Sequence, residues 1–183
     1  MAAAARGGAD DGEGVAKVSR LGLALSTVAV TMLAAPASLA APTVSAAGVQ
    51  FSWSVQGETL HGCMSAVTSG WVAVGFNTRN DLQGARLVMG RVVADRAHAE
   101  VHIAQPPRHL HRKTPDGRER VSEVIGRQVG GRTHVCFSMP LKAADAEDVS
   151  LVKGSPAHII LAWSHEADFE HHSAQRDAVN VTL

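Results

Sequence analysis

Aromatic residues are scarce in this 183-residue chain, which has no tyrosine, three tryptophans and four phenylalanines. Such a composition argues against a large stacking surface for nucleic-acid bases. An excess of charge is also missing, because seventeen basic and seventeen acidic residues leave no net formal charge. Nothing therefore indicates a polyanionic partner. The hydrophobic fraction of 45% is still enough for a globular core, and the length fits one domain.

Familiar catalytic patterns are absent from the sequence as well. It contains no Gly-x-Ser-x-Gly elbow, no His-Glu-x-x-His zinc motif and no phosphate-binding glycine loop. The acidic residues do not fall into an evident pair for acid–base chemistry. We therefore predict that the protein is not an enzyme.

The N-terminal segment has the pattern of an export signal. Lys17 and Arg20 precede an apolar run over residues 21–35, and Pro36 with small residues follows, at the −3 and −1 positions of a cut after Ala40. A membrane anchor is the alternative, but the run is shorter than the roughly 20 residues that a spanning helix needs. We expect residues 1–40 to be a signal peptide and the mature protein to be periplasmic or secreted, with no membrane span.

Residues 41–48 read as a short linker, and residues 49–183 as one all-β domain. Short strand-like segments separated by turn signals, with no long helical period, predict an antiparallel sandwich or barrel. The charged stretch Gln105–Arg120, which contains two adjacent prolines, is predicted to be an exposed loop. The strand-like segments are Val49–Val55, Thr59–Val67, Trp71–Phe76, Ala85–Val93, His98–Ala104, Val121–Val129, Thr133–Leu141, His158–Ser164 and Ala178–Leu183.

The two cysteines, Cys63 and Cys136, both lie in the part of the chain that would be exported. An oxidising compartment permits a disulfide between them. Each sits inside an apolar strand-like run, so two separate buried thiols are the alternative. Our hypothesis is a bridge that joins two strands.

Three stretches resemble the DOMON domain family. The first is "GWVAVGF", followed by a polar loop and "GARLVMG"; the second is "VCFSMPLKAAD"; the third is the closing section that begins at "LVKGSPAHIILAW". The match covers about Phe51 to Leu183. The resemblance implies an immunoglobulin-like antiparallel β-sandwich. Some members of the family bind haem b between a methionine and a histidine and act as electron-transfer modules, whereas others are thought to bind sugars or other small ligands.

The resemblance also implies where a haem ligand would be. The axial histidine of the family lies in the loop before the last strand, and "FEHHSAQR" offers His172 as the best match and His171 as the fallback. Here His172 would bind the iron, because a neutral imidazole nitrogen is a good ligand for haem iron. Arg176 could pair with a haem propionate.

The position that supplies the methionine in haem-binding members corresponds to Leu82, which cannot bind iron and would instead form a pocket wall. Arg86 stands where the family pattern has aspartate. Met89 shares one face of its strand with Leu87, and we interpret it as core more readily than as a ligand. Trp71 is most simply a core residue that could also line a pocket. We expect the pocket to lie between the loops Asn77–Gln83 and Phe169–Arg176.

These observations leave three functions open. The first is haem b binding for electron transfer, which implies a redox partner protein. The second is a non-haem module that binds a sugar or another small molecule. The third is metal binding by the histidine cluster in "HAEVHIAQPPRHLHR", whose members are His98, His102, His109 and His111.

Overall fold

The computed structural model describes residues 40–105, 110–114, 116–117 and 120–183. The expected signal peptide therefore lies outside the described residues except for Ala40. No helix in the described ranges is long and apolar enough to cross a membrane. The strands are β1 Thr43–Ala46, β2 Val49–Gln56, β3 Thr59–Val67, β4 Val72–Asn77, β5 Arg86–Val93, β6 Arg96–Gln105, β7 Leu110–Lys113, β8 Ser122–Val129, β9 Arg132–Pro140, β10 Pro156–Trp163 and β11 Gln175–Thr182.

The strands form two antiparallel sheets that pack face to face. The five-stranded sheet has the order β1-β2-β3-β9-β8, and the six-stranded sheet has the order β11-β10-β4-β5-β6-β7. This architecture confirms the all-β sandwich predicted from the sequence. It arises because alternate residues of each strand are apolar and share one face, so two sheets can bury those faces against each other.

Two strands were not expected. β1 lies in the segment predicted as a linker, and it pairs with β2 while Val44 and Ala46 pack against the core. β7 lies within the stretch Gln105–Arg120, which was predicted to be an exposed loop, and its backbone pairs with β6. Both are edge strands, where short length and charged residues are common because they limit pairing with other molecules.

The core between the sheets is made of large apolar side chains. Val72, Val74 and Phe76 of β4 point into it, whereas the intervening residues of that strand point to the other face of the six-stranded sheet. Each fully buried side chain of this size contributes about 1.5–3 kcal/mol. The largest members that are essentially inaccessible are Phe51, Phe76, Phe137, Leu60, Met64, Met139, Ile159 and Leu161.

Cys63 and Cys136 face each other across β3 and β9 and form the disulfide that was hypothesised. Their position in the centre of the five-stranded sheet gives them half-buried side chains on its outer face. The alternative of two separate buried thiols is therefore wrong.

Arg86 is a buried cation at the start of β5. Its side chain is 3% exposed and pairs with Asp148, whose side chain is 2% exposed. The guanidinium also donates to the carbonyl oxygens of Pro140 and Val149. A charge this deep must be paired and hydrogen-bonded to be tolerated, so Arg86 fixes the residue 140–150 loop to the strand that continues to Met89.

Candidate functional site

A cavity of about 70 Å³ lies on the outer face of the six-stranded sheet, away from the core. Its floor spans neighbouring strands, since Ala73 lies opposite both Met89 and Ala162, and Gly75 lies opposite both Leu87 and Ile160. The floor and walls are lined by Trp71, Ala73, Gly75, Leu82, Leu87, Met89, Ala104, Ile160, Ala162, His171, His172, Ser173 and Arg176.

Small residues keep the floor of this cavity low. At Gly75, a Cβ atom would come within 2.7 Å of the Leu87 Cδ2 atom and 3.1 Å of the Ile160 Cβ atom. The glycine therefore lets the flanking side chains close over the strand. With Ala73 and Ala162 beside it, the floor is apolar and low, which suits the face of a flat, apolar ligand.

The loop between β4 and β5 forms one wall of the cavity. The Asn77 side chain is buried and donates to the carbonyl oxygens of Asp81 and Gln83, at 2.8 and 3.0 Å. Its Oδ1 atom accepts from the backbone N–H of Thr78 at 2.8 Å. One asparagine thus holds the polar loop in a single conformation, and that conformation brings the half-buried Leu82 to the cavity.

The loop between β10 and β11 forms the opposite wall, and its two ends are fixed by backbone hydrogen bonds. Ser164 N donates to Trp71 O at 3.0 Å, Trp71 N donates to Glu166 O at 3.0 Å, and Ala174 N donates to Trp163 O at 2.8 Å. Both ends of the loop are therefore held against the sheet. The tip of the loop, which contains His171 and His172, borders the cavity.

Phe169 anchors this loop to the sheet. It is 5% exposed, and the Arg91 guanidinium lies 4.5 Å from its ring centroid while donating to Ala167 O at 2.7 Å. A guanidinium stacked on an aromatic ring is attracted by about 0.5–2 kcal/mol. Arg91 was not predicted from the sequence, and Phe169 was named there only as the first residue of the loop Phe169–Arg176. Phe169 could have been noticed as a single aromatic residue in an otherwise polar loop.

The structure brings all six residues selected from the sequence to this one cavity. Leu82, His171 and His172 come from the two loops, and Arg176 comes from β11. Trp71 and Met89 belong to the floor. The imidazoles at the loop tip and Arg176 are exposed.

The burial of Met89 has a different origin from the one expected. It is 1% exposed, yet it belongs to an outer-face cluster with Trp71 and Phe169 instead of the core between the sheets. The predicted face sharing with Leu87 is correct. The thioether is therefore part of the cavity that also contains the two loop histidines.

Two buried nitrogen atoms at this site have no hydrogen-bond acceptor among the described residues: Trp71 Nε1 and Arg91 Nε. A buried donor without a partner costs about 1–3 kcal/mol. Because Trp71 lines the cavity, a ligand with an acceptor atom near the indole would remove this cost. Such orphaned donors in native structures are rare and call for an explanation.

The histidine cluster proposed as a metal site is not assembled in the described part of the chain. His102 is fully buried, with Nε2 3.0 Å from Glu100 Oε1 and its ring edge-on to Phe169. His98 lies on the same strand face, His109 lies outside the described residues, and of His111 the backbone alone is described. Where the chain is described, the group of three metal-type side chains that lie close together is Cys63, His134 and Cys136, on the other sheet.

The described residues form a two-sheet β-sandwich with an apolar cavity on the outer face of one sheet. Residues 45–164 match the DOMON domain model, and the chain therefore belongs to the DOMON domain family. This confirms the resemblance seen in the sequence motifs. No curated protein sequence matches the chain.

The solved structures that share this fold include two cytochrome domains. The cytochrome b domain of pyranose dehydrogenase from Coprinopsis cinerea aligns with a TM-score of 0.57 at 8% identity, covering 74% of this chain and 76% of that one. The cytochrome domain of cellobiose dehydrogenase from Myriococcum thermophilum aligns with a TM-score of 0.51 at 8% identity, covering 74% of each chain. At such identities the similarity is one of fold.

Proposed function

We propose that this DOMON domain binds haem b on the outer face of the six-stranded sheet and serves as an electron-transfer module without catalysing a reaction itself. The observation that carries the proposal is a single apolar cavity lined by two imidazoles, those of His171 and His172, and by the thioether of Met89. Imidazole and thioether are the ligand pair that favours electron transfer by haem. The cytochrome domains with the same fold support this choice.

Each cavity residue has a role in the proposal. His172 binds the iron, with His171 as the fallback, and Met89 is the thioether donor in place of the loop position that Leu82 occupies. Arg176 pairs with a propionate, because a guanidinium binds carboxylates through two parallel hydrogen bonds. The unpartnered Trp71 N–H donates to the ligand. The haem, once bound, supplies one-electron chemistry, and the protein sets ligand geometry and excludes water.

The size of the cavity requires one movement. At about 70 Å³ it is smaller than the roughly 300–1,000 Å³ of preformed ligand pockets. A macrocycle would enter when the tip around His171 and His172 moves outward. Both histidines are exposed, and the loop remains attached through Phe169 and through the backbone bonds at its two ends. The proposal therefore requires the tip to move while its base stays in place.

The test is the absorption spectrum of protein exported from a haem-sufficient host. A Soret band with sharp α and β bands after reduction indicates six-coordinate haem. His172→Ala should abolish haem uptake, and Met89→Leu should retain haem but lose the six-coordinate spectrum. His165→Ala is the matched control, since His165 is an exposed histidine of the same loop that is not among the cavity residues. Leu82→Met tests whether the family's usual methionine position can also serve.

If the wild-type protein never takes up haem and the Leu82→Met variant does not take it up either, this proposal is refuted. The non-haem module would then be the better account, and the narrow cavity with its unpartnered Trp71 N–H favours a small ligand with an acceptor atom. Titration of sugars against the intrinsic tryptophan fluorescence, with Trp71→Phe as the control, would examine it. A redox partner protein belongs to the haem proposal. Export through a leader over residues 1–40 is proposed for either ligand, and mass spectrometry of exported material would locate the N-terminus.

A further inference from the structure

The outer face of the five-stranded sheet carries a second group of reactive side chains. Cys63 and Cys136 are opposite each other in the β3–β9 pair, and His134 precedes Cys136 by two residues, so all three point to the same side. The His134 Nε2 atom lies 3.8 Å from Cys136 Sγ. Two sulfurs and one imidazole nitrogen therefore lie within 4.8 Å of one another.

We propose that Cys63, Cys136 and His134 form a redox-controlled zinc site that is closed in the disulfide form and available in the dithiol form. A dithiol reductant breaks the Sγ–Sγ bond, so that the two cysteines gain two electrons and two protons while the reductant becomes a disulfide. Zn²⁺ then displaces both thiol protons and binds two thiolates and the neutral imidazole. The positive charges of the ion are balanced by the two thiolates. Two sulfur ligands and one nitrogen are an established zinc ligand set that leaves one position open.

The distances suit such a site after a small rearrangement. Tetrahedral zinc, with bonds of about 2.3 Å to sulfur and about 2.0 Å to nitrogen, holds two sulfurs about 3.8 Å apart and a sulfur and a nitrogen about 3.6 Å apart. The distance from His134 Nε2 to Cys136 Sγ is already close to this at 3.8 Å, and rotation of the two cysteine side chains would bring the sulfurs to their spacing. All three residues are half-buried, and both cysteines border a surface groove of about 520 Å³. A reductant and a metal ion can therefore reach the sulfurs.

The strand frame is independent of the disulfide. β3 is paired with β2 on one side and with β9 on the other, and β9 is paired with β8 on its far side. Reduction removes one crosslink from a ladder whose backbone hydrogen bonds continue on both sides of it. The backbone positions of the three ligand residues are therefore kept when the sulfurs separate.

His134 supplies the nitrogen ligand of the site. A neutral imidazole is the form that binds zinc, and the His134 Nε2 atom faces the Cys136 sulfur. Arg127, opposite His134 on β8, also favours the two thiolates once they form.

The experiment compares oxidised and anaerobically reduced protein with Co²⁺ and Zn²⁺ as probes. The expected result for reduced protein is one bound ion per chain and a thiolate-to-cobalt charge-transfer band in the near ultraviolet; the oxidised protein should show neither. The band reports sulfur coordination specifically, so metal bound at surface histidines does not imitate it. Cys136→Ser should remove the band, and His134→Ala should weaken binding at least tenfold.

His61→Ala is the matched control, because His61 borders the same groove but lies outside the three-residue group; it should bind like wild type. Thiol titration and circular dichroism establish that the reduced protein has two free thiols and keeps its β-structure. Reduced protein without a cobalt–thiolate band overturns the proposal, whether the sheet is retained or lost. Unchanged affinity in His134→Ala overturns the assignment of the imidazole as a ligand. None of these outcomes depends on haem.

Discussion

Asp148 neutralises the buried Arg86, and its replacement by asparagine should destabilise the whole sandwich. The two side chains are 2% and 3% exposed, so neither charge is solvated. Asparagine keeps the shape and leaves the Arg86 hydrogen bonds to Pro140 and Val149, but it leaves a cation buried without a counter-charge. Removing one partner of a buried pair costs about 3–5 kcal/mol. For a domain of this size, about 2–4 °C per kcal/mol gives a fall of about 6–20 °C in the unfolding midpoint.

Thermal and urea unfolding followed by circular dichroism measure this loss. Asp177→Asn is the matched control, because Asp177 is an exposed aspartate that accepts a backbone N–H, as Asp148 also does. It should change stability by less than about 0.5 kcal/mol. The double variant Arg86→Met/Asp148→Leu removes both charges and should recover most of the loss. If Asp148→Asn unfolds within 1 kcal/mol of Asp177→Asn, the argument that a stranded charge dominates is refuted.

Replacing Cys63 and Cys136 by serine frees a 73-residue connection and should lower the free energy of unfolding by about 2–4 kcal/mol in urea titrations; an unchanged midpoint would contradict this. Gly70→Ala places a Cβ 2.3–2.5 Å from backbone atoms of the β10–β11 loop, so we expect a loss of about 1–3 kcal/mol or more, and a wild-type melting curve would speak against the clash. Burial, and then the charge of Arg127, lower the pKa of His134 in the folded protein. As the pH falls, His134 is therefore protonated in the unfolded chain before it is protonated in the folded one. Stability should therefore fall as pH drops below about 6.5, and His134→Gln should lessen the drop between pH 7.5 and 5.5; an equal drop in both proteins would exclude this contribution.

The β-strands were predictable because alternation and turn residues are local features of the chain. β1 and β7 were missed since they are short, and their pairing depends on the free edges of β2 and β6. An edge offers unpaired N–H and C=O groups that recruit whatever backbone passes close by. Charges and prolines in Gln105–Arg120 predicted an exposed loop, but the side chains described there are buried or half-buried, and such a composition does not exclude an edge strand.

The residues of the candidate site that lie within family motifs could be selected from the sequence. The contacts between residues far apart in the sequence could not. Leu82 and His172 were selected from their loops and line one cavity. Arg91 contacts Ala167 across 76 residues of sequence, and Arg86 contacts Asp148 across 62. No local period reveals such pairs, since they arise when strands from different parts of the chain become neighbours in a sheet.

The composition of β4 links the fold to the proposed function. An antiparallel strand with one solvated face alternates apolar and polar residues, yet "GWVAVGF" is apolar on both faces. Val74 and its neighbours face the core, while Trp71, Ala73 and Gly75 form the floor of the outer cavity. An apolar outer face needs a cover, and Phe169 with its loop supplies part of it. Trp71 and every residue of β4 are already buried, so the loop and the neighbouring side chains cover the floor. The cavity is the space that this cover leaves above the floor, and an apolar ligand held there would fill it.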